Sequence, residues 1–249
     1  MPNFLAVDIG NTVIHLGVFS GNRLLKTFSI STALFLSEKM KKKINGVNPG
    51  ACVVCSVVPK ATKLFAEGFK KYYGFKPSII GKDIKVPMKN RYRSPKQLGQ
   101  DRLVNAYAGV NFYGTPLVVI DFGTGLTFDV ISANKEYLGG MIFPGLKMSL
   151  EALSMKTALL PKIKLKVPPE FIGKDTENCM LSGIVYGYAS LCDEMIVRIK
   201  KRIGNNAKAI VTGGNAAFIK PFCRRITGID EFLTLKGIRC LYDNADKEI

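Results

Sequence analysis

The stretch 121-DFGTGLTFD-129 leaves an apolar run, 117-LVVI-120, at an aspartate, turns through Gly123, Thr124 and Gly125, and resumes as strand-like LTFDVI. A second stretch of the same grammar, 8-DIGNT-12, follows 4-FLAV-7 and leads into 13-VIHLGVF-19. A glycine lets backbone approach a ligand closely. Backbone N–H groups with Asn and Thr donors suit phosphate oxygens, and an aspartate beside them suits the magnesium that phosphates carry. Either turn alone is an ordinary tight hairpin. Asp8 and Asp121 stand 113 residues apart in a chain of 249, close to half its length, and the repetition argues for a pair of phosphate-binding turns. No G-x-x-x-x-G-K-[ST] and no G-x-G-x-x-G occurs, which disfavours a P-loop or a Rossmann site. Asp129 lies eight residues beyond Asp121, past the turn, and is expected to play a structural part in its strand.

Working outward, each turn opens a similar series. "FLAVDI", "VIHLGVF" and "RLLKTFS" read as strands, followed by a helical "ALFLSEKMKKKI", a buried strand "CVVCSVV", a helix opened by Pro59 and a short extended "PSII". From residue 117 come strands "LVVID", "LTFDVI" and "YLGGMIF", a helix from "LKMSLEALSM", a long helix over about 176–203, a strand "KAIVT" ending in glycines, then a helix, a short strand and a last helix. The period is too long for a solenoid and fits a duplicated α/β domain, with halves at 1–114 and 115–249 and a nucleotide cleft between them. The least regular stretches are 82-KDIKVPMKNRYRSPKQLGQD-101 and 160-LPKIKLKVPPEFIGKDT-176.

Hydrophobic residues make up 47% of the chain and no apolar run approaches the roughly 18 residues of a membrane span, so a soluble protein is expected. "MPNFLAVDIG" has neither the charged region nor the cleavage site of an export signal, which points to the cytoplasm. The six cysteines are therefore expected to be reduced. Cys52 and Cys55 form a C-x-x-C inside an apolar strand, where positions three apart face opposite sides, and no second C-x-x-C or His pair completes a zinc site. His15, the single histidine, reads as a strand residue. The net charge of +17, densest at 38-EKMKKK-43, comes with no aromatic-plus-basic recognition motif, so nucleic acid is disfavoured as a partner.

A third feature is 98-LGQDRL-103, preceded by 90-NRYRSP-95. A kinase needs an aspartate to accept the proton of the attacking hydroxyl and an arginine or tyrosine to position an acidic acceptor. Asp101, Arg102 and Tyr92 offer that set. "TGG" at 212–214 ends a strand, where its amides suit a ribose or adenine, and 139-GGMIFPG-145 reads as a strand with turns at both ends.

Taken together, "DIGNT", "SVVP" (56–59), "YRSPKQLGQDR" (92–102), "DFGTGLTFD", "GGMIFPG", "GKDTENCMLSG" (173–183) and "TGG" resemble, in order, the blocks of the type III pantothenate kinases. The resemblance covers nearly the whole chain. It implies the duplicated ribonuclease H-like fold of the acetate and sugar kinase, Hsp70 and actin superfamily, and ATP-dependent phosphorylation of pantothenate to 4'-phosphopantothenate, the first step toward coenzyme A. By the same resemblance Asp8, Ile9, Gly10, Asn11, Thr12, Val13, Ile14, His15 and Thr124 bind ATP with its Mg2+, and Asp121 binds a monovalent cation, K+ or NH4+. Tyr92, Gly99, Gln100, Asp101, Arg102 and Thr176 enclose pantothenate, with Asp101 as proton acceptor, and the family's dimeric habit implies a homodimer. Gly125 departs from the alanine common at its position, which loosens the turn without removing a donor. Two other readings stand beside this one: another small-molecule kinase of the superfamily, which should lack "YRSPKQLGQDR" and "GKDT", and a non-catalytic regulatory or nucleic-acid-binding relative, which should lose Asp101 or Asp121.

Overall fold

β-branched and aromatic residues build the strands, and alternation along each strand sends successive side chains to opposite faces of its sheet. The computed structural model describes residues 3–37 and 47–245, which form two compact units. The first comprises 1–88, 93–108 and 233–249, the second 89–92 and 109–232.

The sheet of the first unit runs β3-β2-β1-β4-β5. It is built from β1 (Asn3–Ile9), β2 (Val13–Ser20), β3 (Arg23–Ser31), β4 (Pro49–Ser56) and β5 (Ser78–Ile79). β2 is antiparallel to β1 and β3, whereas β1, β4 and β5 are parallel. Leu5, Val7, Ile9, Cys52 and Val54 face α1 (Thr32–Ser37) and α2 (Pro59–Tyr73) through Phe35, Ala61, Phe65 and Phe69. Phe4, Ala6, Val53 and Cys55 face the other way, onto Val104 and Tyr107 of α3 (Gln100–Tyr113) and Leu235, Ile238 and Leu241 of α7 (Leu233–Ala245). Full burial of each large apolar side chain contributes about 1.5–3 kcal/mol, so both faces need a helical cover. Cys52 and Cys55 thus lie in different cores, as their spacing predicts. The expected helix over "ALFLSEKMKKKI" is α1 as far as Ser37; the lysine run lies in 38–46, outside the described residues.

The sheet of the second unit repeats the plan, β8-β7-β6-β9-β10 matching β3-β2-β1-β4-β5 in order and direction. Its strands are β6 (Leu117–Phe122), β7 (Gly125–Ile131), β8 (Tyr137–Pro144), β9 (Lys208–Thr212) and β10 (Gly228–Ile229). Val118, Ile120, Phe122, Leu126, Phe128 and Val211 pack on α4 (Leu146–Lys156) and α5 (Thr176–Ile203). Asp175 caps α5 by accepting from Asn178 N at 2.8 Å. A short α6 (Ala216–Ile219) follows β9.

The units are not contiguous in sequence. The halves read from the chain divide at 114/115, whereas α7 packs with the first unit and Lys89–Tyr92 with the second. The apolar stripe of α7 covers the face of the first sheet that α1 and α2 leave bare.

Candidate active site

The hairpin between β1 and β2 closes when Gly10 N donates to Val13 O at 3.0 Å. A Cβ on Gly10 would stand 3.0 Å from that same oxygen, so the turn has no room for a side chain. Thr32, 2% exposed at the start of α1, fixes the turn from behind: its hydroxyl donates to Gly10 O at 2.7 Å and its amide to Thr12 O at 2.9 Å. Asn11 and Thr12 are left exposed at the tip. Asp8 is half-buried at the strand's end, in register with His15 on one side and Cys55 on the other. His15 Nδ1 lies 3.0 Å from Ser29 Oγ, and burial lowers its pKa, so the ring is neutral at pH 7. It is a strand residue with a serine partner, and it brings no positive charge to the turn.

Gly99 to Arg102 form the entry to α3, after a 3-10 turn at Pro95–Gln97. Asp101 Oδ1 accepts from Arg102 N at 2.8 Å, which sets the carboxylate over the first turn, where the helix dipole favours negative charge. A Cβ on Gly99 would lie 2.4 Å from Asp101 Oδ1, so a glycine is required there for the carboxylate to fold back. Gln100 occupies the space beside Gly81, and Arg102 is buried, 8% exposed. Burial pushes the Asp101 carboxyl above its usual value, and the Arg102 amide and guanidinium pull it partly back. Burial, Asp8 and Asp101 in that order push the Cys55 thiol well up, which places both carboxylates near one neutral thiol. The first unit therefore gathers Asp8, the first turn and Asp101 at one end of its parallel strands.

In the second unit the turn after β6 is braced by two other glycine motifs. Gly145 N donates to Thr124 O at 3.1 Å, and a Cβ on Gly145 would meet that oxygen at 2.1 Å. Gly213, at φ +90, passes so close to Asp121 that a Cβ would lie 2.2 Å from Oδ1. Asn215 secures the approach, its amide and its Nδ2 each donating to Phe122 O at 3.1 Å. Thus "GGMIFPG" and "TGG" contribute bracing contacts to the second turn, a role their sequence does not announce. Thr124 is exposed at the tip. Asp121 is half-buried with its Oδ1 atom fully buried, and the side-chain-free backbone of Gly123 and Gly213 passes close to that hard oxygen donor. Such a carboxylate edged by backbone fits an alkali cation, which takes oxygen ligands. Tyr92 sits half-buried beside β8, and Thr176 is exposed at the first position of α5.

Residues 4–198 match the family described as type III pantothenate kinase. Type III pantothenate kinases of Geotalea daltonii and Syntrophus aciditrophicus are 38% and 40% identical, over 96% of this chain and 97% and 98% of theirs. The chain belongs to the type III pantothenate kinase family. It is accordingly a kinase. Among solved structures, a putative Baf family transcriptional activator from Campylobacter jejuni superposes with TM-score 0.60 at 20% identity, covering 98% of this chain and 99% of that one. A ROK family glucokinase from Streptomyces griseus, in complex with glucose and AMPPNP, gives 0.53 at 13% identity over 96% and 99%. At these identities the likeness is one of fold, the duplicated actin-like ATPase fold that both sheets display. For this type III family member, Thr32, Gly145, Gly213 and Asn215 are the bracing residues that sequence reasoning missed. Thr32 in particular reads as an ordinary helix start, with nothing local to link it to Gly10.

Proposed function

We propose that the chain transfers the γ-phosphoryl group of ATP to the terminal hydroxyl of pantothenate, giving 4'-phosphopantothenate, with Asp101 as proton acceptor. The observation that carries the reading is the Asp101 carboxylate, folded over the start of α3 by Gly99 and raised in pKa by burial. A raised pKa makes the carboxylate a better base. The exposed tips of both turns, with Asn11, Thr12 and Thr124, suit phosphate oxygens, and the segment Asp8 to His15 is assigned to ATP. Magnesium carried by the nucleotide would neutralise phosphate charge, with Asp8 as its carboxylate neighbour. Asp121 is assigned to K+ or NH4+, and Tyr92, Gly99, Gln100, Arg102 and Thr176 to pantothenate. In a loose phosphoryl-transfer transition state the base has little covalent work, so holding the hydroxyl in line is the main task of Asp101.

The reading includes a homodimer and a cytoplasmic setting. No helix among the described residues is long and apolar enough to cross a membrane. The deciding assay is pantothenate-dependent ADP release with and without K+, beside Asp101→Asn and Asp121→Asn. Release that depends on pantothenate, falls sharply in Asp101→Asn and loses its K+ response in Asp121→Asn is the expected result. No pantothenate-dependent signal in either ionic condition would remove the reading.

A further inference from the structure

On the face of the second sheet turned away from α4 and α5, a carboxylate is buried completely. Asp129 is 0% exposed, and so is Tyr137, whose hydroxyl donates to Asp129 Oδ1 at 2.7 Å. Thr127, the register partner of Asp121, adds a longer bond to Asp129 Oδ2 at 3.3 Å. A strand that needed only filling would carry an apolar pair here, because a buried carboxylate must recover the cost of leaving water. The position of Tyr137 indicates what the pair does. Its backbone brackets the incoming segment, Tyr137 N donating to Lys89 O at 2.9 Å and Arg91 N to Tyr137 O at 2.8 Å. Its ring centroid lies 6.3 Å from that of Tyr92, whose amide is itself held by Asn90 Oδ1 at 2.8 Å. Gly139, at φ +126, lies beside the Tyr92 ring, where a Cβ would stand 4.0 Å from Cδ2. Glu136 also holds this segment, accepting a bidentate pair from Arg91 at 2.8 and 3.0 Å and pairing with Lys89 at 2.8 Å. Tyr137 and Glu136 thus moor the segment together, but only Tyr137 lies against the Tyr92 ring, and Asp129 holds its hydroxyl.

We propose that Asp129 and Tyr137 are positioning residues that set the place of Tyr92, and through it the affinity for the pantothenate-like acceptor. The inference rests on the reading of Tyr92 as an acceptor-binding residue. Tyr137→Phe keeps the ring and deletes only the hydroxyl. It is expected to raise the pantothenate KM roughly fivefold, the scale of one ordinary hydrogen bond lost, while the ATP KM stays within about twofold. The chain contains no tryptophan, so Tyr92→Trp supplies a single indole reporter. Adding Tyr137→Phe to that variant should shift the emission to the red and increase acrylamide quenching. Unchanged pantothenate KM and unchanged emission in a folded Tyr137→Phe protein would overturn the proposal. So would an equal worsening for both substrates, which marks general loosening. Should Tyr137→Phe fail to fold, Asp129→Asn takes its place with the same two readouts. If the wild-type chain turns over no pantothenate, the functional reading fails and the indole decides alone: a shift upholds the positioning, and no shift sinks it.

Discussion

Asp101 is pulled in two directions, by burial that disfavours its charge and by the Arg102 amide and guanidinium that favour it, with burial the larger effect. A carboxyl whose pKa is raised by folding binds its proton more tightly in the folded state. Its contribution to stability is therefore greatest below the ordinary value of 3.8 and is lost as pH rises through the folded value. Asp101→Asn should accordingly fold with an unchanged or higher Tm at pH 7 while turnover falls roughly 100- to 10,000-fold, with ATP affinity little altered. Calorimetry beside initial rates checks both halves of that statement. Near-normal rates would take Asp101 out of the chemistry. The same shift governs pH dependence: kcat/KM for the acceptor should climb with pH along an acid limb whose midpoint lies above 3.8, as the base loses its proton. A profile flat down to the ordinary carboxylate range would contradict it. At this scale the sequence offered Asp101 and the glycine before it, but the burial that tunes the carboxyl comes from side chains remote in the chain.

At the scale of elements, the turns depend on bracing from outside themselves. Thr32 reaches Gly10 from 22 residues away. Thr32→Val keeps the shape and removes the hydroxyl, and should cost about 1 kcal/mol in urea denaturation, the usual worth of such a bond. It should also raise the ATP KM several-fold and leave the acceptor KM alone. In the second turn, Gly213→Ala forces a Cβ against Asp121 Oδ1 and puts a side chain at positive φ. A loss of about 1–3 kcal/mol and of stimulation by K+ is expected. The neighbouring Gly214→Ala, which meets nothing within 4 Å, is the control and should be near neutral. If both variants respond to K+ like the wild type, the close approach of Gly213 has no bearing on the cation. Element types and approximate bounds, including the long helix Thr176–Ile203 and the helix opened by Pro59, follow from local periodicity and caps. The braces do not, because each joins segments that only the fold brings within reach.

For the whole molecule, the same strand order in both sheets is the physical form of the repeated turns 113 residues apart. The end of α4 and the segment leading to α5 leave Met155, Leu159, Phe171 and Ile172 at 79%, 91%, 66% and 75% exposure, apolar surface that the proposed homodimer would cover. Sedimentation should give twice 27.3 kDa for the wild-type chain, and Leu159→Glu with Ile172→Glu should shift it toward the monomer. A wild-type monomer at micromolar concentration would rule out the homodimer. What the sequence alone determined was the pair of aspartate-glycine turns, the duplicated α/β pattern and the family, since periodicity, turn chemistry and motif order are properties of neighbours along the chain. The tertiary structure decided which sheet α7 covers, that Gly213 and Gly145 buttress the second turn, and that Asp129 is buried against Tyr137. An apolar stripe is complementary to any bare sheet face, and a glycine fits any close approach. Only the path of the chain determines which face and which approach each one meets.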